Sequence, residues 1–167
     1  MSGLCFEYPT MTGKGTLKAG VVITELDHEK GGFNMKDLKA SDVMVRPVIS
    51  GKRNASARDV ALQLLTGLYS GMPITDEKGK VVGVVTELDL LRAVQEGKEL
   101  VKATAEDVMC RDVVTADVDT PVTDVIKTMT EKNIIRLPIT KEGILVGVVS
   151  RCDILKSLIE PEFVAYM

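Results

Sequence analysis

The sequence has few aromatic residues: it contains no tryptophan, three tyrosines and three phenylalanines among 167 residues. Its hydrophobic fraction is nevertheless 45%. The interior must therefore be built mainly from valine, isoleucine, leucine and methionine. This length suits one compact unit or two small interlocked ones.

Residues that bind metals or carry out nucleophilic catalysis are also scarce. The chain has one histidine, His28, and three widely spaced cysteines, Cys5, Cys110 and Cys152. A zinc site needs about four ligands at characteristic spacings, and no such pattern is present. No nucleophile lies beside a histidine that could act as its base. We therefore expect no metal site, no catalytic residues and no enzymatic activity, with the cysteines as the reduced thiols of a cytosolic protein.

The chain lacks an excess of positive charge, since its formal net charge is −3. Binding to nucleic acid requires a clustered basic face, which this composition does not favour. No apolar run approaches the roughly 18 residues of a membrane span. Residues 1–9 lack the basic start and apolar stretch of a secretory signal. These absences predict a cytoplasmic protein that binds neither nucleic acid nor membrane.

The strongest feature present is an internal repeat. Residues 42–75 match residues 107–140 at an offset of 65, and residues 79–91 match residues 143–155 at an offset of 64. The matches keep one order and need one gap, which falls in a turn. Repeats of this kind indicate a duplicated structural unit.

Each copy predicts the order strand, helix, strand, strand, helix. In the first copy the predicted elements are residues 48–50, 57–69, 72–75, 80–86 and 88–97. In the second they are residues 113–115, 121–132, 137–140, 144–150 and 152–159. Thr120 is a candidate cap with Pro121 at the first helical position. Gly79, Gly97 and Gly143 occupy positions where a turn or helix end favours positive φ.

Two stretches, GVVTELD at 83–89 and GVVSRCD at 147–153, resemble the signature that ends a cystathionine-β-synthase (CBS) domain. MPIT at 72–75 and LPIT at 137–140 resemble the proline-containing strand of that family. The resemblance implies an α/β (α+β) fold in which two repeats pack sheet to sheet with pseudo-two-fold symmetry. We expect an N-terminal arm at residues 1–37, a first CBS domain at 38–97, and a second domain with the C-terminal tail at 98–167.

The resemblance also implies ligand-binding residues. In the family the Thr or Ser and the Asp of the signature hold a ribose, so Thr86 and Asp89 would serve one site and Ser150 and Asp153 the other. The chemistry is reasonable, because one carboxylate can accept hydrogen bonds from both ribose hydroxyls. The alternative is that these residues only cap the helices that follow them.

Arginines suggest that the two copies differ in phosphate binding. Adenylate-sensing members of the family carry basic residues at two places that correspond to Arg136 and Arg151. The first copy has Gly71 and Glu87 there. We expect phosphate contacts from the second copy, unless both arginines are merely solvated surface residues.

The N-terminal region repeats part of the signature, because residues 20–27 match 83–89 with one residue inserted. The insertion changes which side chains share a face. We expect a strand or extended arm at residues 16–24, and we do not expect Asp27 to bind ribose.

The resemblance implies a non-enzymatic regulatory module whose ligand is AMP, ADP, ATP or S-adenosylmethionine. The family commonly forms homodimers, so a homodimer is expected. No catalytic domain is evident, so the regulated enzyme or transporter is expected to be a separate protein. The alternative function is a protein-interaction module without a physiological nucleotide.

Overall fold

A computed structural model describes residues 37–163, with side chains to residue 159. The expected N-terminal arm, including the predicted strand at 16–24 and Asp27, lies outside the described residues except for Asp37. None of the helices within residues 37–163 is long and apolar enough to cross a membrane.

Two units of the same topology follow each other along the described chain. The elements are α1 (Ala40–Val43), β1 (Gly51–Lys52), α2 (Ala57–Gly67), β2 (Gly71–Thr75), β3 (Val81–Thr86), α3 (Glu87–Gln95), α4 (Ala105–Val108), β4 (Ala116–Asp117), α5 (Val122–Glu131), β5 (Arg136–Lys141), β6 (Ile144–Ser150) and α6 (Arg151–Phe163). They form two three-stranded sheets with the orders β1-β2-β3 and β4-β5-β6. The predicted α/β class and the duplicated unit are confirmed.

Corresponding residues of the two sheets have the same pairing. Pro73 pairs with Val84 in the first sheet, and Pro138 pairs with Val148 in the second. Both central strands pair in parallel with the short first strand and antiparallel with the third. The predicted positive φ is present at Gly79, Gly97 and Gly143. The sequence repeat is therefore a structural repeat, except that the second hairpin turn is one residue shorter.

The apolar interior consists of two clusters, one for each sheet. The first contains Met72, Ile74 and Val85 with residues of α2 and α3, and the second contains Leu137, Ile139 and Val149 with residues of α5 and α6. Side chains alternate between the two faces of a strand. The intervening Pro73, Val84, Pro138 and Val148 consequently lie on the opposite faces, where the two repeats meet.

The segments that lead into the repeats are exchanged between them. We define the leading segments as residues 38–45 and 103–110. Ala40 and Val43 belong to the second cluster, whereas Ala105 and Met109 belong to the first. Each segment is also held by backbone hydrogen bonds to the other repeat: the N–H of Ala40 donates to the carbonyl of Thr120 at 2.8 Å, with an equivalent bond from Ala105 to Ala55 at 2.8 Å. Each repeat therefore completes the core of the other.

The glycine of each signature makes room for this exchange. A Cβ atom added to Gly83 would lie 2.3 Å from Sδ and 2.7 Å from Cγ of Met109. One added to Gly147 would lie 2.4 Å from Sδ and 3.0 Å from Cγ of Met44. Any side chain at these two positions would displace the methionine of the opposite leading segment.

Three local predictions were wrong. The strands expected at 48–50 and 113–115 lie further along, at β1 and β4. Residues 48–49 and 113–114 instead line cavities between the repeats, so their apolar character reflects that lining. Pro121 is the N-cap of α5, which begins at Val122. The hydroxyl of Thr120 accepts a hydrogen bond from the backbone N–H of Asp117 at 3.0 Å, so it does not cap the helix.

Candidate ligand clefts between the repeats

Two cavities lie where the repeats face each other. Cleft 1, of about 450 Å³, is lined by residues that include Thr86, Glu87, Asp112, Val113, Val114 and Arg136. Cleft 2, of about 250 Å³, is lined by residues that include Val48, Ile49, Arg136, Ser150, Asp153 and Lys156. Most lining positions of one cleft correspond to lining positions of the other under the sequence repeat. The clefts are thus pseudo-symmetric copies of one site.

The predicted ribose residues adopt the same arrangement in both repeats. The Thr86 hydroxyl donates to Oδ2 of Asp89 at 2.5 Å, and the backbone N–H of Asp89 donates back to that hydroxyl at 3.2 Å. Ser150 and Asp153 make the same two bonds at 2.5 Å and 3.2 Å. The backbone N–H of each Thr or Ser also donates to Oδ2 of its aspartate. Each pair therefore forms a capping box at the start of its helix.

This arrangement makes capping and ligand binding compatible. Every cap hydrogen bond that the aspartate side chain accepts ends on its Oδ2. Among the described residues, no donor reaches Oδ1 of Asp89 or Asp153. That oxygen can still accept hydrogen bonds from a ligand.

The two pairs differ in how they meet the clefts. Ser150 and Asp153 both line cleft 2. Thr86 lines cleft 1, but Asp89 is not among the residues that line it. Ser150 is also buried, with 5% of its surface exposed, whereas Thr86 is half-buried. Both predicted ribose-binding residues of the second repeat therefore line cleft 2, whereas only the hydroxyl residue of the first repeat, Thr86, lines cleft 1.

Arg136 lies at the boundary of both clefts and lines each of them. Its guanidinium carbon lies 5.3 Å from the centre of the Tyr69 ring, a distance typical of a cation–π contact. Its Nε atom is buried and has no hydrogen-bond partner among the described residues. An unpaired buried donor is unfavourable, so a hydrogen-bond acceptor that reached this group would stabilise it.

Arg151 is placed differently. Its Nε donates to the carbonyl of Ile134 at 2.9 Å, and its terminal nitrogen donates to Oδ1 of Asn133 at 3.1 Å and to the carbonyl of Met129 at 3.4 Å. It lines neither cleft. The two predicted phosphate-binding arginines therefore do not line a common cleft, and Arg151 holds the loop of residues 133–135 that lines cleft 1.

Two charged residues of the clefts, Lys156 and Asp112, were missed by sequence reasoning. Lys156 lines cleft 2, and Asp112 lines cleft 1 together with Glu87, the counterpart of Arg151. Lys156 follows Asp153 by three residues, a spacing that places both on one face of a helix, so it could have been predicted. Its counterpart Arg92 does not line cleft 1. A residue at the equivalent position of the other repeat therefore need not line the equivalent cleft.

Each cleft also contains one exposed cysteine, Cys110 in cleft 1 and Cys152 in cleft 2. Both are free thiols. Within the part of the chain that the structure describes, no three histidine, cysteine, aspartate or glutamate residues are grouped as a metal site.

Two pseudo-symmetric clefts between duplicated α/β units define a class of tandem-repeat protein. The family model for the CBS domain matches residues 40–96 and 105–160, which together make up more than half of the chain. The chain therefore belongs to the CBS domain family.

Curated relatives contain the same pair in different settings. The uncharacterized protein MK0525 of Methanopyrus kandleri is 34% identical over 133 residues, which are 78% of this chain and 67% of that protein. An L-aspartate semialdehyde sulfurtransferase of Methanocaldococcus jannaschii is 34% identical over 139 residues, but the match spans 80% of this chain and only 26% of the enzyme. The catalytic name thus belongs to a protein of which this chain covers about a quarter.

Solved structures show the same fold. The CBS domain pair of protein MJ0100, crystallised with 5′-methylthioadenosine and S-adenosyl-L-methionine, is 31% identical with a TM-score of 0.66, over 74% of this chain and 98% of that one. CBSX2, crystallised with AMP, has a TM-score of 0.67 at 23% identity, over 74% of this chain and 98% of that one. At that identity the second likeness concerns the fold alone.

Proposed function

We propose that this protein is a non-enzymatic regulatory module of the cytoplasm that binds adenosine-type ligands in the clefts between its CBS repeats. The ligand class is AMP, ADP, ATP or S-adenosylmethionine. We propose that the module acts on a separate enzyme or transporter. We also propose that residues 38–97 and 98–167 are its two functional domains. The observation that carries this proposal is the duplicated Thr/Ser–Asp pair at the cleft edges, with one aspartate oxygen free.

The free carboxylate oxygens give the ribose a place to bind. The 2′ and 3′ hydroxyls of a ribose are adjacent donors, and an ionised carboxylate is a strong acceptor for both. Asp153 lines cleft 2 directly. In cleft 1 the hydroxyl of Thr86 would make the first contact, with Asp89 behind it in the hydrogen-bonded chain.

Apolar segments of the clefts suit an adenine ring. Val48 and Ile49 line cleft 2, and Val113 and Val114 line cleft 1. A flat heteroaromatic ring gains free energy by leaving water for such a slot. The related MJ0100 pair, crystallised with two adenosyl compounds, supports this ligand class.

Phosphate groups would bind at Arg136 in cleft 2. The buried, unpaired Nε of Arg136 and the ammonium of Lys156 provide positive charge on that side. We propose that Arg151 acts indirectly, through the loop of residues 133–135. Alanine at position 151 should then weaken AMP binding less than alanine at position 136.

A ligand in a cleft would signal by changing how the repeats sit against each other. Each cleft is lined by both repeats, so its width depends on their arrangement. A ligand shifts such an equilibrium only if it binds one arrangement more tightly. The exchanged leading segments would carry the change, because each is bonded to the opposite repeat.

We also propose a homodimer formed through the helices. Leu65 on α2 and Leu91 on α3 are 68% and 67% exposed, and Leu155, the counterpart of Leu91, is 55% exposed on α6. A second copy could cover these faces, of which the apolar face of α3 recurs on α6. Leu65→Glu with Leu91→Glu should yield a monomer in light scattering. Val101→Glu, at a 69% exposed residue outside α2 and α3, should leave the dimer intact.

Calorimetric titration with AMP, ADP, ATP and S-adenosylmethionine tests the ligand proposal. Wild-type protein should bind at least one of them with a dissociation constant on the order of micromolar. An Asp89→Asn, Asp153→Asn double variant should lose that binding. Asp59→Asn, in the first turn of α2 and outside both clefts, is the matched control. Unchanged binding in the folded double variant would contradict the assignment, and no binding to wild type would favour a protein-interaction module.

A further inference from the structure

On the basis of the proposed function, we infer that the two clefts take different ligands. Cleft 2 takes an adenosyl compound that carries a phosphate, and cleft 1 takes an adenosyl compound that does not. The reason is that one guanidinium, that of Arg136, is shared between the clefts and is held on the side of cleft 2.

The two repeats provide two equivalent positions for such an arginine, but only the second repeat has an arginine there. Arg136 pairs with Ser150 at the start of β5, and its counterpart Gly71 pairs with Thr86 at the start of β2. Both residues line both clefts. A symmetric module would place one arginine at each position. This chain has one arginine and one glycine, so a single guanidinium serves two sites.

An aromatic ring determines where that cation rests. Tyr69 lies under the guanidinium and lines cleft 2, but it does not line cleft 1. The counterpart of Tyr69 is Ile134, which lines cleft 1 and offers no π-face. Because cation–π contact requires an aromatic face, the guanidinium is favoured beside cleft 2. Lys156 adds a second cation to that side alone.

The charges that line cleft 1 oppose a phosphate. Glu87 and Asp112 both line it, and Arg136 is the only Lys or Arg among its lining residues in the described chain. Once a phosphate in cleft 2 has bound Arg136, a phosphate in cleft 1 would face two carboxylates with no free cation. Like charges in a partly desolvated cleft repel strongly.

The remaining lining of cleft 1 suits a small apolar or cationic group at the 5′ carbon. Apart from the valines proposed for the adenine ring, cleft 1 is lined by Ile134, Ile135 and the exposed thiol of Cys110. A thioether packs well in such surroundings. A sulfonium would in addition be attracted by Glu87 and Asp112. Thioether and sulfonium nucleosides are therefore the ligand class of cleft 1.

AMP and 5′-methylthioadenosine form a matched pair of probes, because they share adenosine and differ at the 5′ position. In titration calorimetry, AMP should saturate at one molecule per chain. Titration of 5′-methylthioadenosine into the AMP-saturated protein should then fill one further site per chain. Thr86→Val should remove this second site and leave the AMP site, since Thr86 lines cleft 1 alone.

Substitution of the shared arginine gives the sharper test. Arg136→Met should weaken AMP binding at least about tenfold, because a charge-assisted hydrogen bond is lost. It should change 5′-methylthioadenosine binding by less than about twofold, since that ligand has no phosphate for the guanidinium. Arg136→Lys keeps the charge and should give an intermediate AMP affinity. Arg92→Met, the exposed counterpart of Lys156, is the control and should match wild type.

The outcomes separate this inference from the proposed function. Two AMP molecules bound per chain with equal affinity would overturn the inference and leave the proposed function intact. The same holds if AMP and 5′-methylthioadenosine exclude each other, or if Arg136→Met weakens both equally. Failure of AMP and 5′-methylthioadenosine to bind wild-type protein, while ADP, ATP or S-adenosylmethionine binds, would overturn the inference alone. Failure of all five compounds would overturn the proposed function and the inference with it.

Discussion

The two repeats share their scaffold and differ where they meet the clefts. Their strand pairing, capping boxes and turn glycines coincide position by position. Two differences lie in or beside the clefts, where Gly71 corresponds to Arg136 and Glu87 to Arg151. Close packing restricts which side chains fit the interior of both copies, whereas a residue at the edge of a cleft can be substituted without disturbing the core. The two repeats therefore share one scaffold and carry different residues in and beside the clefts.

Two cores that complete each other should behave as one cooperative unit. Ile74 and Ile139 are counterparts, and both are fully buried. Substitution of either by alanine should lower the free energy of unfolding by about 2–5 kcal/mol. Both variants should still unfold in a single transition in calorimetry, because each core includes the other repeat's leading segment. A two-step transition in either variant would contradict this interlocking.

Substitution of the signature glycines should lower the free energy of unfolding by a smaller amount, and by the same amount in the two repeats. Gly83→Ala and Gly147→Ala each force a methyl group against a methionine of the opposite leading segment. Overpacking of this kind should cost about 1–3 kcal/mol in a denaturant titration. Combining Gly83→Ala with Met109→Ala should relieve the contact and restore part of the loss beyond additivity. A strictly additive double variant would argue against direct contact.

The capping hydroxyls should distinguish the two repeats. Thr86→Ala and Ser150→Ala each remove a helix cap, with an expected cost of about 0.5–2 kcal/mol. The Ser150 variant should lie at the upper end, because Ser150 is buried and its loss leaves polar groups of the cap unpaired there. Thermal melting of the two variants side by side measures the difference. A larger loss of stability for Thr86→Ala than for Ser150→Ala would contradict this prediction.

The smallest expected effect is a pH dependence at the start of α4. The backbone N–H of Thr104, and then its hydroxyl, donate to Asp107 and lower the pKa of that carboxyl below its ordinary value of 3.8. A lowered folded-state pKa stabilises the protein above the unfolded-state value and stops doing so as the pH falls through the folded-state value. Asp107→Asn should therefore flatten the acid side of a melting-temperature profile below about pH 4. Thr104→Ala, which keeps the backbone donor, should have part of that effect, and an unchanged profile in both would contradict the assignment.

Much of the fold could be predicted because the sequence contains it twice. The repeat located the hairpins and both long helices of each unit, and the capping pairs followed from the positions of Thr86 and Ser150. The exchange of the leading segments could not be predicted. The same apolar residues, such as Ala40 and Ala105, satisfy either core, and only the three-dimensional pairing decides between them.

The clefts were harder to predict than the fold. Residues 48–50 and 113–115 look like strands because both a strand and a cleft wall select β-branched apolar residues. Arg136 and Arg151 were equivalent as charges in the sequence. Their roles separate only through partners distant along the chain, Tyr69 for the first and the Ile134 carbonyl for the second.

The most direct test of separate ligands in the two clefts is a crystal structure of the protein saturated with AMP. We expect AMP in cleft 2 alone, with its ribose at Ser150 and Asp153 and its phosphate bonded to Arg136. AMP in cleft 1 with its phosphate beside Glu87 and Asp112, or AMP equally in both clefts, would contradict it.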